Sequence, residues 1–299
     1  MTAHDTRGEA SGDGPASHTL ELDGDHAGTS IHWLERGPAD ADQVIVCVHG
    51  LTRNAHDFDI LAASLARSGA RVLSIDVVGR GGSSWLEDPQ GYAVPVYTAQ
   101  LIAFLRKLGL SSVDWIGTSM GGLIGMGVAV TDPAIIGRLV LNDIGPFVPK
   151  RALAEIRTYL GLELTFGDLD ELEAHLRFIH ASFGQLTDEQ WRHMAVHSSR
   201  EVEGGWKLNY DPAIREAYDE VGEADIEIWE LFEAITCPVF LIYGRDSRLL
   251  DAATVERMKT TGPGAQTAGF AGVGHAPALM SDDQIATISG WLGAPLSGD

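Results

Sequence analysis

The sequence predicts an α/β protein: a mostly parallel sheet of eight strands sandwiched by helices, with a helical segment inserted after the sixth strand. Three observations lead there. Short extended apolar runs alternate with amphipathic ones along most of the 299 residues, the rhythm of parallel strands joined by crossover helices. The extended runs are apolar almost throughout, as strands covered on both faces must be. The alternation breaks once, from about Pro149 to Glu233, where the text turns helical, aromatic and charged, and it resumes at "CPVFLIYG".

Taken in order, residues 1–17 are rich in Gly, Ser, Asp and Ala and read as a disordered extension. "HTLELDG" and "SIHWLERG" form a first pair of strands. "QVIVCVHG", "RVLSIDVVG", "SVDWIGTS", "GRLVLNDIG", "PVFLIYGR" and "QTAGFAGVG" follow as short buried strands. Between them, "DFDILAASLARSG", "PVYTAQLIAFLRKLG", "MGGLIGMGVAV" and "DAATVERMKTTG" carry helical patterns. The predicted core therefore comprises residues 18–146 and 234–299, and residues 147–233 are expected to form a helical cap, or lid.

Composition removes several function classes. A hydrophobic content of 44% is ample for a large core. No apolar run approaches the ~20 residues that a membrane span needs, and the N-terminus lacks the basic and apolar regions of a signal peptide. The expected compartment is the cytoplasm. A net charge of −21 repels nucleic acid and anionic membranes, so neither is expected as a partner. The chain is expected as a monomer or a homodimer. Cys47 and Cys237 each lie in or beside a buried strand, so two packed thiols are expected rather than a disulfide or a metal site.

The chemistry gathers around "IGTSMGG". In a Gly-x-Ser-x-Gly turn between strand and helix, small neighbours permit a sharp bend that lifts the hydroxyl above the sheet edge, and the helix N-terminus favours negative charge beside it. Gly117, Ser119 and Gly121 fit that pattern. A serine nucleophile needs a base, an acid to orient the base, and donors for the oxyanion. "GVGHAPALM" supplies His275 in a loop after the last strand. Of eleven histidines it alone has both loop context and chain order. His175, His180, His193 and His197 fall on the cap helices and are expected to be surface or packing residues. "VHGLTRN" after the third strand suits an oxyanion loop, with the backbone N–H of Leu51 paired to that of Met120 and with His49 bracing the loop.

Together "VHG", "DVVGRGGSS", "GTSMGG", "LVLNDIGP" and "GHAP" resemble the α/β-hydrolase superfamily, in order and spacing, from about Thr19 to Leu292. The resemblance implies the fold, the nucleophile, the base and the oxyanion hole. It implies neither a metal nor an organic cofactor. For the acid, relatives commonly use the loop after the seventh strand, but "YGRDSRLLD" places Ser247 at that spot, with Asp246 one residue early. Dehalogenase-like relatives take the acid from the end of the sixth strand, where "LVLNDIGP" supplies Asp143, 24 residues after Ser119. Asp143 is the first choice and Asp246 the alternative.

The expected activity is hydrolysis of a carboxylic ester or lactone of a small, largely apolar substrate through an acyl-enzyme. A carbon–carbon bond hydrolase of vinylogous diketones, or a small-molecule receptor on the same fold, are the competing readings. Trp191 and Trp206 are candidates for the pocket. Arg53 is weighed between a substrate carboxylate and an ion pair with Asp57 or Asp59.

Overall fold

The computed structural model describes residues 14–221 and 224–293. Eight strands form one sheet: β1 (Ala16–Glu21), β2 (Ser30–Arg36), β3 (Val44–Val48), β4 (Arg71–Ile75), β5 (Val113–Thr118), β6 (Ile136–Asn142), β7 (Val239–Gly244) and β8 (Gln266–Phe270). Their order across the sheet is β1-β2-β4-β3-β5-β6-β7-β8. The β1–β2 and β2–β4 pairs are antiparallel and the rest are parallel. Of the N-terminal extension expected over residues 1–17, residues 1–13 lie outside the described residues. Ala16 and Ser17 already belong to β1, where they pair with Glu35 and Leu34.

Period-two patterning divides the core into two layers. Ile45, Cys47, Val72, Ile116, Val140 and Ile242 face one side of the sheet, under α1 (Asp59–Arg67) and the C-terminal helix Asp282–Leu292. Val46, Val48, Leu73, Trp115, Leu139 and Leu241 face the other, under α2 (Val94–Lys107) and α3 (Met120–Thr131). Successive side chains of a strand point to opposite faces, so a strand covered on both must be apolar at nearly every position. That is why these runs read as continuous apolar text. Cys47 and Cys237 are unpaired, and burial raises both thiols, Cys237 to about 11.

Between β6 and β7 the chain makes α4 (Lys150–Arg157), α5 (Leu169–Ile179), α6 (Asp188–His197), α7 (Ile214–Val221) and α8 (Trp229–Glu233). Asp168 caps α5 by accepting from the N–H of Asp170 and Glu171, and Thr187 and Gln190 form a reciprocal capping box at α6. The stretch, expected to be helical, also holds short strands. Ser199–Val202 pairs with Gly205–Leu208 in a hairpin, and Phe147–Val148 pairs with Ile226–Glu227. Each of these strands is two to four residues long and half-exposed, too short to show an alternation in the text. Two further helices, α9 (Ala252–Met258) and α10 (Asp282–Leu292), complete the molecule.

Candidate active site

Ser119 occupies the bend between β5 and α3 with φ 51° and ψ −114°, a left-handed conformation that costs a non-glycine residue on the order of 1–3 kcal/mol. Local packing imposes it. The Ser119 N–H donates to the Asn142 carbonyl at 2.9 Å, and the Ser119 carbonyl accepts from Gly122 and Leu123 at 2.9 and 3.1 Å. The flanking glycines are required by close approach. A Cβ on Gly117 would lie 2.3 Å from the Gly121 carbonyl oxygen, and one on Gly121 would lie 2.0 Å from that of Val48. Trp115 Nε1 donates to the Gly121 carbonyl at 3.0 Å and closes the turn from below.

His275 reaches Ser119 from the loop after β8. Its Nε2 lies 3.0 Å from Ser119 Oγ and its Nδ1 lies 2.7 Å from Asp143 Oδ2. The loop is pinned on both sides. The Gly274 N–H donates to the Ser182 carbonyl and Ser182 Oγ donates to the His275 carbonyl, each at 2.7 Å, while Asn142 Nδ2 donates to the Pro277 carbonyl at 2.8 Å.

Asp143 follows β6, fully buried, with φ 54°. A buried carboxylate must be satisfied. Here the Gly244 N–H donates to Oδ1 at 2.9 Å, and the Ser247 hydroxyl donates at 2.6 Å to Oδ2, the oxygen that also faces His275. The residue at the common acid position thus holds the carboxylate of Asp143. The alternative acid Asp246 is corrected. It borders the cavity, its backbone N–H is tied to the Val273 carbonyl, and its carboxylate has no hydrogen bond to His275. The turn that aims Ser247 inward aims its neighbour elsewhere.

The loop after β3 lies against this row, with a Cβ on Gly50 only 3.8 Å from that of Ser119. Neither the Leu51 nor the Met120 N–H donates to a protein acceptor among the described residues. Two buried side chains set the loop. His49 Nε2 accepts from the Val77 N–H at 3.0 Å, which fixes the proton on Nδ1, and Nδ1 donates to the Gly50 carbonyl at 2.7 Å. Burial pushes the His49 imidazole down to about 4 and keeps it neutral. Because the Gly50 carbonyl and the Leu51 N–H share one peptide plane, holding the first aims the second. Arg80 then donates from Nε to the Leu51 carbonyl at 2.8 Å, from one terminal nitrogen to the Val78 carbonyl and the Tyr97 hydroxyl, each at 2.7 Å, and from the other to Met120 Sδ at 3.6 Å. Nothing in the local sequence around Arg80 marks that role, since its partners lie up to 40 residues away.

A cavity of about 350 Å³ opens over Ser119 and His275, walled by Leu51, Phe58, Ala152, Tyr159 and Met194 among others. Arg53 borders it, but its Nε is committed to the Asp57 carboxylate at 3.0 and 3.1 Å. Trp191 and Trp206 do not line it, which corrects their candidacy. Trp191 packs with Leu172, Leu176, Met194 and Met280, and Trp206 sits in the hairpin, paired through its backbone to Phe166. Helical spacing identifies an inward face without telling whether it meets the cavity or the insertion's own small core. His180, expected to be a packing residue, lines the cavity while stacked on Phe183. Burial, with Arg53 adding repulsion, holds its imidazole well below the usual range, and its ring nitrogens bond to no described residue.

Sequence and structure comparisons place the chain in a known lineage. A family model described as the alpha/beta hydrolase fold matches residues 43–280. The chain is 40% identical over 261 residues to a 3-hydroxybutyrate-oligomer hydrolase of Cupriavidus necator, covering 84% of this chain and 89% of that protein. It is 29% identical over 223 residues to esterase Rv0045c of Mycobacterium tuberculosis, covering 72% of each. A crystal structure of a putative hydrolase from Rickettsia typhi superposes with a TM-score of 0.85 at 33% identity, over 93% of this chain and 98% of that one. The chain belongs to the α/β hydrolase family and is an enzyme of its esterase-like type.

Proposed function

We propose that the enzyme hydrolyses carboxylic esters through a serine acyl-enzyme, with Ser119 as nucleophile, His275 as base and Asp143 as the acid that orients it. The observation carrying this reading is the continuous row from Asp143 Oδ2 to His275 Nδ1 at 2.7 Å and from His275 Nε2 to Ser119 Oγ at 3.0 Å. In the first half-reaction His275 Nε2 takes the hydroxyl proton as Oγ attacks the ester carbonyl. The Leu51 and Met120 N–H groups receive the oxyanion, and His275 returns the proton to the departing alkoxide. In the second half-reaction water gives a proton to His275 as it adds to the acyl carbon, and His275 passes that proton to Ser119 Oγ as the carbon–Oγ bond breaks and the acid leaves. Asp143 holds the tautomer and stabilises the imidazolium without taking the proton.

Residues 147–233 act as a cap that shapes the acyl pocket. Ala152, Tyr159, His180 and Met194 all reach the cavity from this segment, which supports that role. The substrate is a short ester of a small hydroxy acid or a related lactone. The relation to an enzyme named for 3-hydroxybutyrate oligomers supports that class. The pairing of Arg53 with Asp57 favours an uncharged acyl portion beside the nucleophile. Turnover of short hydroxyacyl oligoesters, simple acyl esters, lactones and vinylogous diketones tests the reading. Release of acid from the oligoesters and simple esters is expected, and turnover confined to the diketones refutes it.

A further inference from the structure

Behind the cavity, where the core meets α6, three imidazoles and one carboxylate converge. His56 and Asp59 come from the 3₁₀ turn Ala55–Phe58 and the start of α1. His193 and His197 come from α6, four residues apart and so on one helix face. His56 Nδ1 lies 2.8 Å from Asp59 Oδ2, and His193 Nε2 lies 3.3 Å from the same oxygen. The His56 and His197 rings stack with centroids 3.8 Å apart and planes 20° apart, and His193 stands 4.5 Å from His197. One donor atom each from His56, Asp59 and His197 fall within 4.8 Å of one another.

Hydrolysis makes no use of this group, and packing alone explains it poorly. Imidazoles stacked this closely cannot all carry charge. Burial, with His56 and His193 beside it, pushes the His197 imidazole down to about 4. Burial opposes the Asp59 carboxylate, yet hydrogen bonds from His193 and His56 outweigh it and keep the group ionised. Two imidazole nitrogens and a carboxylate oxygen are the donor set that borderline divalent metals select.

We propose that His56, Asp59 and His197 bind a divalent transition-metal ion of the Zn²⁺ and Co²⁺ type, with His193 holding Asp59 in place and water completing the coordination. Tetrahedral bonds of ~2.0–2.1 Å set ligand atoms roughly 3.4 Å apart. Binding therefore draws the donors together and splays the stacked rings, both by side-chain rotation. The ion takes the place of the contact between His56 Nδ1 and Asp59 Oδ2. Its effect is mechanical. Asp57 and Phe58 on one side and Met194 on the other both line the cavity, so the ion clamps two walls of the pocket together across the junction between core and insertion.

The test uses the full chain, stripped with chelator and titrated with Co²⁺ alone. A saturable visible band of tetrahedral Co²⁺, one equivalent per chain and displaced by Zn²⁺, is expected. At Zn²⁺ about 100-fold above its Kd, Tm should rise by roughly 5 °C. His197→Gln and, separately, His56→Gln should abolish both responses while leaving the metal-free Tm within a few degrees and metal-free ester turnover within about twofold. Absence of the band in the unmodified chain, or a band and a Tm rise that persist in either variant, overturns the proposal.

Discussion

Replacing Asp143 with Asn probes the least obvious member of the proposed catalytic row. The carboxylate is fully buried and its Oδ2 sits 2.7 Å from His275 Nδ1. In Asp143→Asn the side chain keeps its volume, and its oxygen can still accept from the Gly244 N–H. Its amide nitrogen then faces His275, and two donors meet. The imidazole relieves the clash by moving its proton to Nε2, which then points a hydrogen at Ser119 Oγ, 3.0 Å away, when it should be accepting one. The wrong tautomer and the loss of charge behind the imidazolium should together lower kcat by about 10⁴, or roughly 5.5 kcal/mol. Asp246→Asn should stay within about threefold, because that carboxylate does not bond to His275. Ser247→Ala should fall between the two. It removes one charge-assisted hydrogen bond, worth roughly 1.5–3 kcal/mol and divided between stability and rate. The assay is steady-state hydrolysis of a chromogenic short-chain ester, with circular dichroism to show that each variant is folded. A crippled Asp246→Asn beside a near-normal Asp143→Asn refutes the reasoning.

Arg80→Lys should reduce kcat by roughly 10² with little change in KM, because the fork that holds the Leu51 carbonyl is lost and the oxyanion donor drifts; an equal loss in KM alone would contradict this. Ala152→Phe, on the cavity face of α4, should shift preference toward shorter acyl chains while a small phosphonate still labels the enzyme. Unchanged chain-length preference would mean that the core loops build the pocket. His49 is held neutral by burial with its pKa depressed from 6.5 to about 4, so the unfolded chain binds a proton in that interval that the folded chain does not. Its contribution is present above about pH 6.5 and is lost as pH falls toward 4, amounting to roughly 3 kcal/mol. Urea melts at pH 7.5 and 4.5 should show that slope, and His49→Gln should flatten it.

Much of the fold was legible because its signals are local. A buried parallel strand must be apolar on both faces, and "VIVCV" and "VDWIGT" show it without reference to anything distant. The bend at Ser119 was legible for the same reason, since the glycines that permit it are two residues to either side. The choice between Asp143 and Asp246 was not settled by spacing. It depends on where the turn after β7 aims Ser247, and that is decided by contacts more than 100 residues apart in sequence. Arg80 escaped notice, and His180 read as a surface or packing residue, because their neighbours come from separate elements. Trp191 and Trp206 misled because an apolar face on an inserted helix has two places to go, and the small core around Leu172 and Met194 took them.

The proposed role of Ser119 as nucleophile is tested by intact-mass and peptide mass spectrometry after treatment with a fluorophosphonate. One adduct per chain is expected, located on Ser119, with ester hydrolysis lost in step with labelling, and neither adduct nor turnover in a folded Ser119→Ala variant. Labelling at another serine, or Ser119→Ala retaining turnover near that of the unmodified enzyme, would contradict it.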